Sequence, residues 1–194
     1  MLKRISILAV LLLMAAMNVS AAQWNIDKAH SSVSFTVKHL VISKVRGSFG
    51  DFSGVINFDG KDLAGSSVEM KVVVGSIDTD NKNRDDHLRG ADFFNVEKYP
   101  EMTFKSTKVI KGEGDSFKLV GNLTIKDVTK EVTFDCEYNG SAEFMGTQKA
   151  GFSAKTTIDR QDFGITWSKA LDSGGLVVDN DVVINIEIEA NQAG

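Results

Sequence analysis

Hydrophobic and polar residues alternate along most of the chain that follows residue 22. In the first such series, Val33, Phe35 and Val37 are separated by polar side chains. This period of two is typical of a β-strand that buries one face and exposes the other. We therefore predict about eight strands, at residues 33–37, 56–58, 68–74, 102–104, 117–125, 132–136, 152–158 and 182–188.

Short turn signals separate these predicted strands. They are Asp59-Gly60, the run 112–115, Lys126-Asp127 and Asn139-Gly140, which consist largely of residues that favour tight turns. The polar face of each strand excludes a parallel sheet, because the strands of such a sheet are buried on both faces. An antiparallel sandwich and a closed antiparallel barrel both fit the pattern. A barrel has the advantage that it leaves no sheet edge exposed.

Residues 77–99 interrupt the alternation and are rich in Asp, Asn and charged side chains. Asp80 or Asn81 is a suitable N-cap for a short helix, and Gly90 is a suitable end. We predict a short helical lid near residues 80–95. The apolar side chains that would hold it over one end of the sheet are Leu88, Phe93 and Phe94.

The N-terminal segment has the pattern of a cleaved signal peptide. Lys3 and Arg4 precede an apolar run at 5–17, and small residues follow, as a signal peptidase requires. The run is shorter than the roughly 20 residues that span a bilayer. We therefore expect that residues 1–22 are removed on export, and that 23–194 form one soluble domain with no stable membrane insertion.

The balance of charge narrows the range of partners. The chain contains 22 Lys and Arg against 26 Asp and Glu, which gives a formal net charge of −4. Nucleic acids and anionic membrane surfaces are bound by basic patches, and the sequence has no run of Lys or Arg. We therefore expect neither of them as a partner.

The single cysteine and the three histidines offer little chemistry. Cys136 cannot form an internal disulfide, and it lies in an apolar series where a thiol behaves as a small hydrophobic side chain. His30, His39 and His87 lack the short pairwise spacing of zinc ligands. We expect a thiol in the core and no bound metal.

One short segment resembles a catalytic loop. Asp172-Ser173-Gly174-Gly175 is similar to the loop around a serine-protease nucleophile. However, no histidine stands in a recognisable base motif, and GxSxG, P-loop, GxGxxG and CxxC motifs are absent from the sequence. We expect a protein that is not an enzyme and carries no cofactor. A hydrolase that uses Ser173 and His87 is the remote alternative.

The chain has 12 Phe, and many of them fall on the predicted inward faces. The commonest role of such residues is a packed core, since burying one Phe stabilises a fold by about 1.5–3 kcal/mol. A barrel of about eight strands can also enclose one small ligand. The alternation alone does not distinguish a filled core from an apolar cavity.

Residues spread over nearly the whole chain after residue 22 resemble the YceI-like polyisoprenoid-binding family of exported bacterial proteins. The strongest matches lie in 84–94 and in 159–164. The matching residues include Trp24, Ile26, Asp27, His30, Ser31, Gly47, Phe49, Arg84, Asp85, His87, Leu88, Asp92, Phe93, Phe94, Tyr99, Pro100, Asp159, Arg160, Asp162, Phe163 and Gly164. One departure is Asp127, which stands where we expect a glycine.

The resemblance implies an extended, lipocalin-like antiparallel β-barrel with a long apolar tunnel. It also implies that the protein is periplasmic and binds a polyisoprenoid, such as the tail of a quinone, without a covalent bond. Members of the family are often dimeric, so a homodimer is a further expectation. No cofactor chemistry is implied.

The resemblance and the strand pattern together predict which residues contact a ligand. A linear isoprenoid has few hydrogen-bonding groups, so its binder needs little more than an apolar tube. The inward positions chosen from each strand are Phe35, Val37, Phe58, Met70, Val72, Met102, Phe104, Leu119, Phe134 and Phe152.

The charged residues among the matching motifs have two interpretations. They either fix the lid or contact a polar head group, or they form structural salt bridges. These residues are Arg84, Asp85, His87, Arg160 and Asp162. For the whole protein, the alternative to a lipid carrier is a stress-related structural or partner-binding barrel with a filled core.

Overall fold

The computed structural model describes residues 22–172 and 174–193. The predicted signal peptide lies outside the described residues apart from Ala22, and so does Ser173. Within the described part, the main elements are eleven strands and one α-helix. Their bounds are β1 Ala22–Ile26, β2 Ser32–His39, β3 Ser43–Phe49, β4 Phe52–Phe58, β5 Ser67–Val73, β6 Ile77–Asp78, α1 Lys82–Arg89, β7 Glu101–Lys111, β8 Ser116–Ile125, β9 Val128–Phe144, β10 Thr147–Asp159 and β11 Val178–Gln192.

The strands form a closed antiparallel barrel with eight positions around its circumference. Two consecutive short strands share each of the first three positions: β1 with β2, β3 with β4, and β5 with β6. The ring closes because β11 pairs with β10 on one side and with β1 and β2 on the other. This confirms the predicted all-β barrel and excludes the sandwich.

The two short strands at each shared position are separated by a break in the strand, and short 3₁₀ turns form two of these three breaks. Asp27 ends β1 because its side chain accepts a hydrogen bond from the N–H of Ala29 (3.1 Å), which begins a 3₁₀ turn. A second 3₁₀ turn, Val74–Ser76, separates β5 from β6. β2 then pairs with the part of β11 that β1 leaves free, so the two short strands together match one long strand.

The two ends of the barrel differ in how they are built. At one end, which we call the helix end, lie α1, the β2–β3 turn and the segment between β10 and β11. At the other, which we call the terminal end, β1 begins next to the last residues of β11. Each end has its own apolar cluster.

The cluster at the terminal end is a packed aromatic core. The indole N–H of Trp24 donates to the carbonyl of Phe58 (2.9 Å), and Tyr138 and Phe152 contact the Phe58 ring edge-on. Cys136 is buried in the same cluster, and this burial raises the pKa of its thiol to about 12. The thiol is therefore protonated at neutral pH, which confirms its prediction as a core residue.

Three of the four predicted turns connect strands, and one prediction is wrong. Asn139-Gly140 lies inside β9 rather than between two strands. Gly140 has a φ of +104°, and the pairing of β9 with β10 shifts register between Gly151 and Phe152. A glycine of this kind marks a β-bulge, which lets the strand continue. The hairpin turns later, at Met145-Gly146.

The predicted lid contains a helix of the expected kind. Asn81 caps α1, because its side-chain oxygen accepts from the N–H of Arg84 (3.0 Å). The helix ends at Gly90, whose N–H donates to the carbonyl of His87 (3.0 Å). With eight residues, α1 is the only α-helix in the described ranges. It is far shorter than the roughly 20 residues needed to cross a bilayer.

Candidate functional site

A cavity of about 220 Å³ lies inside the barrel. A site for a single buried water needs only about 10–15 Å³, so the inward side chains leave a substantial part of the lumen open. Aliphatic and aromatic side chains from all eight positions of the barrel form most of its wall. The polar residues that reach it are Ser34, Ser66, Thr103, Ser153 and Arg160.

Most of the predicted contact residues face this cavity. Nine of the ten line it: Phe35, Val37, Met70, Val72, Met102, Phe104, Leu119, Phe134 and Phe152. Phe58 is outside the lining, although it faces inward as its position in the alternation predicts. It lies too near the terminal end, where the aromatic core encloses it. Contact of these residues with a ligand remains a prediction.

Two glycines leave room for lining aromatic rings to lie against the sheet. A Cβ on Gly47 would come within 2.5 Å of the Phe35 ring, which lies directly across the β2–β3 ladder. A Cβ on Gly121 would come equally close to the ring of Phe104. Because no side chain stands at these positions, the two rings occupy the space above the glycines. The rings therefore project less far into the lumen.

An aromatic cover lies over the helix end of the cavity. Leu88, Phe93 and Phe94, the three residues predicted to hold the lid, all line the cavity from above. The ring of Trp167 lies 5.4 Å from that of Phe93, and the His87 ring packs edge-on against both. His87 also lies 3.3 Å from a carboxylate oxygen of Asp92. It therefore contacts the cover from outside and does not line the cavity.

Arg160 is a buried cation at the same end. Its guanidinium donates to the carbonyls of Ile165 and Trp167 (both 2.7 Å), Asp179 (2.9 Å) and Val178 (3.3 Å). A fifth bond reaches the side-chain oxygen of Asn180 (3.2 Å). All five N–H donors of the side chain are thus used. Burial lowers the pKa of Arg160 because it disfavours the charged form.

The other predicted polar residues lie apart from the cavity. Asp85 is buried and accepts from the N–H and hydroxyl of Thr79, and Arg84 donates to the hydroxyl and carbonyl of the same threonine. The two charged residues therefore share a neutral partner instead of forming a salt bridge. Asp162 is exposed and pairs with Lys130 (2.9 Å). Of the five candidates, Arg160 alone lines the cavity.

Asp127, the departure from the family pattern, does not adopt the left-handed conformation. Lys126, its neighbour in the β8–β9 turn, has a φ of +57°. The carboxylate of Asp127 accepts a hydrogen bond from the hydroxyl of Tyr99 (2.8 Å), and this bond is the largest cause of the lowered pKa of Asp127. The substitution thus links the turn to the end of the lid segment.

A polar cluster on the outside of the barrel has the residue types of a metal site. Asp27, His30 and Glu189 bring ligand atoms within 4.8 Å of one another. However, the ammonium of Lys149 bonds Glu189 (2.6 Å) and lies 3.4 Å from Asp27. The hydrogen bond with His30 is the main cause that lowers the pKa of Asp27 to about 2. The arrangement is that of an ion-pair network, because a cation already balances its carboxylates.

The sequence interpretation did not select several lining residues. Ile184, Ile186 and Ile188 of β11 line the cavity, and their strict alternation is a signal that identifies them. Ile165 also lines it, but it lies in an irregular segment with no periodic pattern. Ser173, the serine of the hydrolase alternative, lies outside the described residues.

The chain is similar to several known proteins over most of its length. A UPF0312 protein from Pectobacterium atrosepticum is 40% identical over 186 residues, which cover 94% of this chain and 94% of that protein. The crystal structure of the YceI protein from Campylobacter jejuni superposes with a TM-score of 0.72 at 39% identity, covering 87% of this chain and 96% of that one.

A more distant structure shares the fold alone. It is a polyisoprenoid binding domain from Saccharophagus degradans, with a TM-score of 0.66 at 15% identity, covering 89% of this chain and 99% of that domain. The family model of the YceI-like domain matches residues 24–190, a range that begins within β1 and ends within β11. This chain belongs to the YceI-like family.

Proposed function

We propose that the protein is a periplasmic carrier that holds a polyisoprenoid, or a similarly long apolar lipid, in the barrel cavity without converting it chemically. The observation that carries the proposal is the cavity itself, which is lined mostly by apolar side chains from the whole barrel. A filled core, which the structural alternative requires, would not contain a space of about 220 Å³.

The chemistry of the lining favours a hydrocarbon chain over a polar ligand. Burying one CH₂ group contributes about 0.8 kcal/mol, so each five-carbon isoprene unit contributes roughly 4 kcal/mol before the cost of ordering the chain. A polar ligand would leave its hydrogen-bonding groups without partners along most of this wall. The donors of Arg160, the one charged residue in the lining, are already used by protein acceptors.

Two further observations support this proposal. The Saccharophagus degradans domain, which has the same fold, is a polyisoprenoid binding domain. The N-terminal sequence has the charge and apolar run of a signal peptide, which supports a periplasmic location. In the absence of a recognisable catalytic motif, binding alone accounts for the features of the cavity.

The first experiment measures what the protein carries. We would purify it from periplasmic extract without detergent, record its native mass, and identify any lipid after organic extraction. The proposal predicts a discrete mass increment that matches an isoprenoid. A protein with no increment that also fails to bind a long-chain quinone on titration would overturn the proposal and favour the structural alternative.

A matched pair of variants then tests whether the cavity is the site. Ala154 lines the cavity, whereas Ala142 is exposed on the outer face of β9. Ala154→Phe should fill the space and reduce quinone binding at least tenfold, whereas Ala142→Phe should leave binding unchanged. Equal binding by the two variants, with both folded by circular dichroism, would show that the lipid binds elsewhere.

A further inference from the structure

The turn between β2 and β3 exposes three consecutive apolar side chains, which we call the β2–β3 tip. They are Leu40, Val41 and Ile42, with 37%, 63% and 85% of their surface exposed. Val41 and Ile42 keep most of their surface in solvent, although a methyl group of Val41 lies beside Gly175. The tip is therefore a surface feature that the core of the barrel does not explain.

The backbone of the tip is unfavourable for these side chains. Leu40 and Val41 have φ angles of +53° and +66°, and the N–H of Ile42 bonds the carbonyl of His39 (3.3 Å). A hairpin turn with two left-handed central residues strongly prefers Asn-Gly. A β-branched residue with positive φ is a genuine outlier. The chain thus displays apolar side chains where a different pair would fold more easily.

Basic residues flank the tip on both strands. Lys38, Lys44 and Arg46 are exposed, and none of them forms an ion pair with a residue in the described ranges. The sequence contains no acidic residue between Asp27 and Asp51. Lys38 and Lys44 pair across the β2–β3 ladder, and Arg46 lies two residues further along β3, so the three cations lie together in the folded hairpin. Asp179 and Asp181 of β11 lie beside Lys38 on the other side of β2, so Lys44 and Arg46 are the cations farther from acidic residues of β11.

The tip adjoins the helix end of the cavity. The N–H of Leu40 donates to the carbonyl of Val177 (2.9 Å), and His39 pairs with Val178. Val178 lines the cavity, as does Val37 on the neighbouring strand. One end of the cavity therefore lies directly below the exposed apolar residues.

We propose that the β2–β3 tip docks on an anionic lipid surface, with Val41 and Ile42 in the interface and the flanking cations against the head groups. Exposed apolar side chains next to unpaired basic residues match the two layers of such a surface. This docking goes beyond the carrier function. It rests on the proposed function only in that the bound lipid would be exchanged at this surface. Vesicle binding is measured without bound lipid, so the assay tests docking separately from the carrier function.

A second exposed apolar turn provides an internal control. Phe144 and Met145, at the β9–β10 turn on the terminal end, have 61% and 90% of their surface exposed. Their nearest charged neighbour along the chain is the acidic residue Glu143, not a cation. Both turns thus expose apolar side chains, but of these two turns only the β2–β3 tip has exposed basic residues on both flanking strands.

The first test replaces the tip by the residues that its turn prefers. Residues 23–194, the chain expected after export, are sedimented with vesicles of phosphatidylcholine containing phosphatidylglycerol. Leu40→Asn combined with Val41→Gly should lower vesicle binding about tenfold, while the midpoint of urea unfolding stays equal or rises. Phe144→Ser combined with Met145→Ser should leave binding unchanged. Equal vesicle binding by the Asn-Gly variant and the original chain would overturn the proposal.

The second test concerns the charges and is independent of the turn. Each basic residue near an anionic surface strengthens binding about fivefold, so replacing Lys38, Lys44 and Arg46 by Gln should weaken it about a hundredfold. Vesicles of phosphatidylcholine alone should bind the original chain equally weakly, and 0.5 M salt should abolish the difference. If the original chain does not bind anionic vesicles, the proposal is overturned and the tip would face a protein instead.

Discussion

Replacing Arg160 should destabilise the protein more than most single substitutions. Its guanidinium makes five hydrogen bonds, and four of the acceptors are backbone carbonyls. Those of Ile165 and Trp167 lie in the segment that folds back over the cavity, and those of Val178 and Asp179 lie at the start of β11. Arg160→Met removes every donor but keeps much of the side-chain volume. The two carbonyls bonded at 2.7 Å, those of Ile165 and Trp167, would lose their charged partner.

The magnitude follows from the buried acceptors. A buried polar group that loses its partner costs about 1–3 kcal/mol, and a hydrogen bond to a charged group is worth about 1.5–3 kcal/mol. Part of this loss is recovered, because the variant no longer has to bury a cation. We therefore expect Arg160→Met to lower the free energy of unfolding by about 3–5 kcal/mol. Arg160→Lys, which keeps the charge but has three donors, should lose about half as much.

Urea unfolding measures the global effect, and native-state hydrogen exchange locates it. The amides of residues 165–172 and 174–178 should lose protection first in both variants, while those of β8 and β9 follow global unfolding. A loss below 1 kcal/mol for Arg160→Met would refute the reasoning. A variant with Lys that is as unstable as the variant with Met would also refute it, because charge and donor number would then be irrelevant.

Two further predictions test other parts of the structure. Gly47→Ala should displace the Phe35 ring into the lumen and lower quinone affinity severalfold with the fold retained, as titration and circular dichroism would show; unchanged affinity would mean that the ring has another place to go. Asp27→Asn should lower stability by about 1–2 kcal/mol at pH 6 after allowance for solvent screening. Because the folded pKa of Asp27 is about 2, below its ordinary 3.8, this stabilisation is present above about pH 4 and is lost as the pH falls to 2. Urea unfolding of the original chain and of Asp27→Asn at pH 6 and at about pH 2 measures this stabilisation. An equal difference in the free energy of unfolding at the two pH values would contradict the argument.

The sequence predicts the barrel well where alternation is long and unbroken. β8 and β11 each alternate over most of their length, so the pattern by itself assigns their inward faces. The strands predicted from alternation begin at Val33, so neither β1 nor the break between β1 and β2 is predicted. At this break the carboxylate of Asp27 accepts a hydrogen bond from the N–H of Ala29, which the alternation does not register.

The cavity and its polar neighbours depend on information that alternation does not contain. Whether Phe35 fills the lumen depends on the residue across the ladder, and that residue, Gly47, is known only once the register is known. The motif around Arg160 predicts either a carboxylate partner or contact with a head group. Arg160 bonds backbone carbonyls instead, and two of them, those of Ile165 and Trp167, lie in an irregular segment with no periodic signal.

The packed aromatic core at the terminal end makes the barrel a tube that is closed at its bottom. Trp24 and Phe58 are almost completely buried there, so a chain that enters can advance only until it meets them. The depth of the lumen then limits the length of isoprenoid that the barrel can enclose. A short isoprenoid would be enclosed completely, whereas a longer one would leave its remaining units and its polar head outside, beside α1, where an enzyme or a membrane could bind it.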